Sequence, residues 1–112
     1  SITIKPGEKT VIPTGIAIQL PSKKYVALIF ARSGLGIKHG ITMSNGVGVI
    51  DSDYTGEIMC GLVNLGSEPY TIRPGDRIAQ MVFMPIAIAS LTVVDELQDT
   101  ETGSKGLGST GA

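Results

Sequence analysis

Proline and glycine interrupt this chain every few residues, and between them no helical apolar period is sustained ahead of the C-terminal segment. Helices are thereby excluded as the main building material, and an all-β domain is expected. The strand candidates are Thr10 to Leu20, where Ile16, Ile18 and Leu20 alternate, Tyr25 to Ala31, with Val26, Leu28 and Phe30 on one face, and Gly56 to Leu65, with Ile58, Cys60 and Leu62. Tyr70 to Ile72, Arg77 to Phe83 and Ala87 to Val94 follow. Strands this short, separated by turn residues, fit a sandwich, a jelly roll or a small barrel rather than βαβ units.

Two of the turns echo each other: Ile4-Lys5-Pro6-Gly7-Glu8-Lys9 and Ile72-Arg73-Pro74-Gly75-Asp76-Arg77. Proline fixes φ at the second position of a type II turn and glycine accepts positive φ at the third, so two similar hairpins are expected. Reuse of a favourable turn explains the echo without an internal repeat.

With 112 residues, 42% hydrophobic and 17% charged, the chain is expected to form one domain with a modest core. A net charge of −1 and the absence of Trp give no sign of a nucleic-acid surface. No apolar run approaches the roughly 20 residues of a membrane helix, so no membrane partner is expected. Cys60, the single cysteine, sits in an alternating apolar run and is read as a buried, inert thiol. Ser1 to Pro6 lacks the basic start and apolar core of a signal peptide, so the expected location is cytoplasmic, or nuclear in a eukaryote.

Two stretches have compositions that core packing does not explain. From Asn45 to Ile58, Gly46, Gly48 and Gly56 are interleaved with Asp51, Asp53, Glu57 and Tyr54. The glycines let a ligand approach the backbone, and the expected structure is a hairpin that offers a carboxylate as general base beside an aromatic ring. An acidic turn with a core tyrosine is the plainer alternative. A calcium loop starting at Asp51 fails, because its last position falls on Leu62 and its flanks are strands. The second stretch, Ala31-Arg32-Ser33-Gly34-Leu35-Gly36, is read as a tight glycine-containing turn after a strand, suited to an anion by its guanidinium, hydroxyl and free amides. It is neither a Walker loop nor a dinucleotide fingerprint. His39 has no second histidine near it and is read as a surface or loop residue.

Taken together, these motifs resemble those of the trimeric deoxyuridine triphosphatases. Asn45 to Gly56 is similar to the third motif of that family, Ala31 to Gly36 to the second and Gly75-Asp76-Arg77-Ile78-Ala79-Gln80 to the fourth. Gly106-Leu107-Gly108-Ser109-Thr110-Gly111 is similar to the fifth, a mobile arm. Order and separations agree, so the resemblance covers nearly the whole chain.

The resemblance implies a jelly roll of the β-clip kind, assembled as a homotrimer whose subunits share each active site. It implies dUTP pyrophosphatase activity, with dUTP as substrate and Mg²⁺ carried by the triphosphate and water rather than by protein ligands. Asp51 would activate the water that attacks the α-phosphorus. Tyr54 would pack on the deoxyribose and leave no room for a 2′-hydroxyl, while Asn45, with the backbone through Gly48, would read the uracil edge. Ser33, Gly34 and Gln80 would hold phosphate oxygens, with positive charge from Arg32, and Leu107, Ser109 and Thr110 would belong to the arm. The implied division is a core over 1–94, without the family's first Ala-Gly-x-Asp-Leu motif, and a C-terminal segment over 95–112 with a glycine-rich arm. Thr102 and Leu107 stand where the family carries Arg and Phe, which implies weaker closure of the arm.

Two rivals share this fold. Deoxycytidine triphosphate deaminases need a glutamate near the position of Gly61, and none occurs between Glu57 and Glu68. A non-catalytic or weakly active nucleotide-binding member is the alternative, and the presence of Asp51, Tyr54 and Gln80 together argues against it, since a pure scaffold has no need of the three.

Overall fold

The computed structural model describes residues 1–104. Eight strands and one short helix follow in the order β1 (Ile2–Ile4), β2 (Lys9–Ala17), β3 (Tyr25–Phe30), α1 (Ser33–His39), β4 (Ile41–Met43), β5 (Gly48–Ile50), β6 (Glu57–Asn64), β7 (Tyr70–Ile72) and β8 (Gln80–Pro85). The all-β expectation holds. Three small antiparallel sheets form, ordered β1-β7, β2-β6-β4 and β5-β3-β8.

The alternating residues explain the core. On β6, Ile58, Cys60, Leu62 and Asn64 are buried while the residues between them are not. With Ile4, Ile12, Ile29, Ile41, Met43 and Ile72 from the other strands, the three apolar residues of β6 make one contiguous cluster. Burial pushes the Cys60 thiol above the ordinary thiol range, in keeping with an inert core cysteine.

Asn64 is the polar member of this interior and is fully buried. Its side-chain amide donates to the carbonyls of Ile4 and Glu68, each at 2.8 Å, and its oxygen accepts the Gly66 amide at 2.8 Å. One side chain thus ties β1 and the loop after β6 to the central strand.

Both Pro-Gly turns form as expected. Glu8 N–H reaches the Lys5 carbonyl at 2.9 Å and Asp76 N–H the Arg73 carbonyl at 3.0 Å, with Gly7 and Gly75 at φ 83° and 88°. Their carboxylates close the turns from the other side, Glu8 on Lys5 N–H at 2.7 Å and Asp76 on Arg73 N–H at 2.8 Å. They do not make hairpins, however. β1 pairs with β7, β2 with β6 and β8 with β3, so each turn carries the chain from one sheet to another.

Three other expectations need correction. Ala31 to Gly36 is not a free-standing turn, because Ser33–His39 is helical. Gly34 and Gly36 disfavour helix and conceal the element, although Gly40 in the left-handed region and Lys38 and His39 in the last turn mark its end. Gly40 is required there twice over, since a Cβ at this site would lie 2.3 Å from the Gly66 nitrogen. The segment from Ala87 to Val94 forms no strand: Leu91 and Val93 are almost fully exposed, and among the described residues no strand lies beside them to take up their backbone groups. Finally, the stretch from Asn45 to Ile58 is not a hairpin, because β5 pairs with β3 and β6 with β2 and β4. It is a connection between two sheets.

Candidate active site

β3 is the axis of the site. Its last residue, Phe30, pairs with Gln80 at the start of β8, and the Gln80 side-chain amide donates to the Ala31 carbonyl at 2.9 Å. Arg32, half-buried at the N-cap of α1, donates from Nη1 to the Arg77 carbonyl at 3.5 Å. The two stretches expected to hold phosphate are therefore brought side by side at one end of β3. Ser33 and Gly34 are exposed in the first turn of α1, where backbone amides have no intrahelical acceptor.

On the opposite edge of β3, Gly48 faces Ile29 and Ile50 faces Ala27. Gly48 is buried so tightly that an added Cβ would stand 3.1 Å from the Ile29 Cβ, so the backbone here runs directly on the core. Asn45 precedes it in an exposed turn, in which Gly46 N–H bonds to the Met43 carbonyl at 3.1 Å and Val47 N–H to the Asn45 carbonyl at 2.9 Å.

Asp51 follows β5 directly and is exposed. Tyr54 N–H bonds to the Asp51 carbonyl at 3.1 Å and closes a turn that presents carboxylate and ring together. Tyr54 is not a core residue, being 44% exposed. Its hydroxyl donates to the Glu57 carbonyl at 2.6 Å, and its ring lies against Gly56. No side-chain contact among the described residues gives Asp53 a part in this arrangement.

A single chain does not gather all of these groups. Gln80 stands opposite Phe30, whereas Asp51 lies beyond the Ile50–Ala27 pair, toward the other end of β3. At the usual strand rise this offset is about 13 Å along the sheet. The apolar cleft between the sheets is bordered by Arg32, Arg77 and Gln80, and neither Asn45, Asp51 nor Tyr54 lines it. Leu107, Ser109 and Thr110 lie outside the described residues.

Among the described residues no group of three or more His, Cys, Asp or Glu side chains could hold a metal ion. His39 is exposed at the end of α1, with its ring 4.8 Å from that of Tyr70. No described helix is long and apolar enough to cross a membrane.

The contacts of Glu57, Thr14 and Gly15 escaped the sequence reading, which noted Glu57 only as one carboxylate of the stretch. They act on the Asp51–Tyr54 turn through hydrogen bonds between segments some forty residues apart, Glu57 Oε2 accepting from Gly15 N–H at 2.8 Å, and no local pattern announces such contacts. The outward-facing Glu57 beside Gly56 was the one available hint.

Comparison with known proteins gives a consistent picture. The family model described as dUTPase matches residues 1–111. The deoxyuridine 5'-triphosphate nucleotidohydrolase of Desulfitobacterium hafniense is 54% identical over 110 residues, covering 98% of this chain and 73% of the relative. That of Shewanella piezotolerans is 50% identical over 111 residues, covering 99% of this chain and 73% of the relative. Among solved structures, the Staphylococcus bacteriophage 80alpha dUTPase with dUPNHPP superposes with a TM-score of 0.86 at 29% identity, over 99% of this chain and 80% of that one. A mutant dUTPase from phage phi11 of S. aureus, described with a structural Mg(II) ion, gives a TM-score of 0.79 at 27% identity over 88% of this chain and 79% of that one.

Proposed function

The chain belongs to the dUTPase family of enzymes, and on that premise we propose that it hydrolyses dUTP to dUMP and pyrophosphate by attack of water on the α-phosphorus. The observation that carries this reading is the exposed turn on which Asp51 and Tyr54 stand together, closed by the bond from Tyr54 N–H to the Asp51 carbonyl at 3.1 Å. A carboxylate free of the core is available as a base, and the ring beside it as a wall.

In the proposed reaction Asp51 takes a proton from the water as its oxygen bonds to the α-phosphorus. The bond from that phosphorus to the α–β bridging oxygen breaks, and the electron pair leaves with pyrophosphate. Tyr54 packs on the deoxyribose, and Asn45 and the backbone through Gly48 pair with the uracil edge. Ser33, Gly34 and Gln80 hold phosphate oxygens beside Arg32, whose planar fork suits them. Mg²⁺ enters as part of the substrate: it accompanies the triphosphate and lessens its charge. Leu107, Ser109 and Thr110 are proposed to close over the nucleotide from the C-terminal arm, and the cytoplasm is the proposed setting.

The offset along β3 between Asp51 and Gln80 supports a further element of the reading. If one copy supplies Asn45, Asp51 and Tyr54 and a neighbour supplies Ser33 and Gln80, the two sets can meet around one nucleotide. A homotrimer with shared sites is proposed on that ground.

The test is a panel of Mg²⁺-complexed nucleotides followed by pyrophosphate release. Hydrolysis of dUTP is expected, with dCTP, dTTP and UTP slower by about a hundredfold or more, since each leaves a buried polar group unpaired or meets a wall. Equal rates across the panel would overturn the assignment of base and sugar contacts. No hydrolysis of any member would favour the non-catalytic reading.

A further inference from the structure

β2 changes register between Pro13, opposite Met59, and Ala17, opposite Glu57, so that extra residues bulge out of the strand. The bulge is well organised. Gly15 takes a left-handed φ of 71°, and the Thr14 hydroxyl donates to the Ile58 carbonyl at 2.6 Å while accepting the Ile16 amide at 3.1 Å. The Gly15 amide in turn donates to the Glu57 carboxylate at 2.8 Å. Glu57 is therefore held at both its side chain and its backbone, and its carbonyl accepts the Tyr54 hydroxyl at 2.6 Å.

Gly56 completes the device. A Cβ there would lie 2.8 Å from the Tyr54 hydroxyl oxygen and 3.0 Å from the carbon that bears it, so the ring rests where only glycine leaves it room. An exposed tyrosine without such contacts samples several rotamers. Excluding one hydroxyl group from a sugar site requires a surface fixed to a fraction of an ångström.

We propose that Glu57 is a positioning residue: by gripping the β2 bulge at Gly15 and receiving the Tyr54 hydroxyl, it locks the ring that separates deoxyribose from ribose. This rests on the reading of Tyr54 as the sugar-facing wall. The ring is then set not only by its own turn but also by a bulge some forty residues earlier in the chain, and discrimination at the 2′ position becomes a property of two neighbouring strands, β2 and β6, acting together.

The experiment measures, on the full chain, the ratio of kcat/KM for dUTP to that for UTP. A loss of folded protein scales both terms equally and leaves this ratio unmoved, so a purely structural role would not register. Tyr54→Ala, which removes the wall, is expected to collapse the ratio. Tyr54→Phe and Glu57→Ala are each expected to lower it by about three- to tenfold, the span of one net hydrogen bond. Glu57→Gln, which keeps an acceptor oxygen for Gly15, is expected to restore it to within about twofold. A wild-type ratio in Glu57→Ala, with a lowered one in Tyr54→Ala, would overturn the positioning role and leave the sugar wall standing. A wild-type ratio in Tyr54→Ala would overturn both.

Discussion

Asp51→Asn is expected to slow pyrophosphate release from dUTP by about a hundred- to ten-thousand-fold, the usual worth of a positioned general base. The substitution preserves shape and removes the proton acceptor. Because the turn is closed by backbone groups, Tyr54 N–H to the Asp51 carbonyl at 3.1 Å, its geometry does not depend on the carboxylate. Asp51 is also exposed, so no core contact is disturbed. The unfolding temperature should consequently match that of the parent protein while kcat falls and KM changes little. A variant that keeps more than about a third of the parent rate would remove Asp51 from the chemistry, since a base contributes far more than that.

Asn64→Leu is expected to have the largest effect on stability. Leucine keeps the branched outline at Cγ but leaves the carbonyls of Ile4 and Glu68 and the amide of Gly66 without the partner each now has at 2.8 Å. The bond to Ile4 is buried, so water does not readily replace it, whereas the bonds to Glu68 and Gly66 are part-buried and their groups regain water more easily. A buried polar group left unpaired costs about 1–3 kcal/mol, so the Ile4 carbonyl, with smaller losses at the two part-buried partners, should cost roughly 2–4 kcal/mol in all. In a domain of this size that corresponds to a fall of about 8 °C or more in Tm. Urea unfolding at a fixed protein concentration checks the value, and a loss below about 1 kcal/mol would mean that the buried amide is not a tie between β1 and β6.

The contrast between these two residues indicates how much could be read before the fold was known. Asp51 and Tyr54 stood out because carboxylates, an aromatic ring and glycines in one stretch suit a ligand and not a core. Their exposure on one turn agrees with that reading. Asn64 did not stand out, because an asparagine at the end of an apolar alternation looks like a strand ending. Its role arises from Ile4, sixty residues earlier.

The same division runs through the fold. Strand character was legible at Tyr25 to Phe30 and along β6, where alternation is long enough to show. Both Pro-Gly turns were legible from their chemistry, but their destinations were not, because a turn does not specify whether the next strand pairs with the last one or crosses to another sheet. α1 was hidden by Gly34 and Gly36, which lower helix propensity where a two-turn element has little to spare. Ala87 to Val94 alternates like a strand, yet pairing is a relation between two segments and no second one lies beside it among the described residues. The grouping of Arg32 with Gln80, by contrast, followed from the β3–β8 register that no single motif contains.

The central proposal, that water attacks the α-phosphorus, can be tested by single-turnover hydrolysis of Mg²⁺-complexed dUTP in water enriched in oxygen-18, with the products separated and weighed by mass spectrometry. One heavy oxygen is expected in the phosphate of dUMP and none in pyrophosphate. Heavy oxygen in the pyrophosphate, with unlabelled dUMP, would place the attack on the β-phosphorus and contradict the proposed role of Asp51 at the α-phosphate.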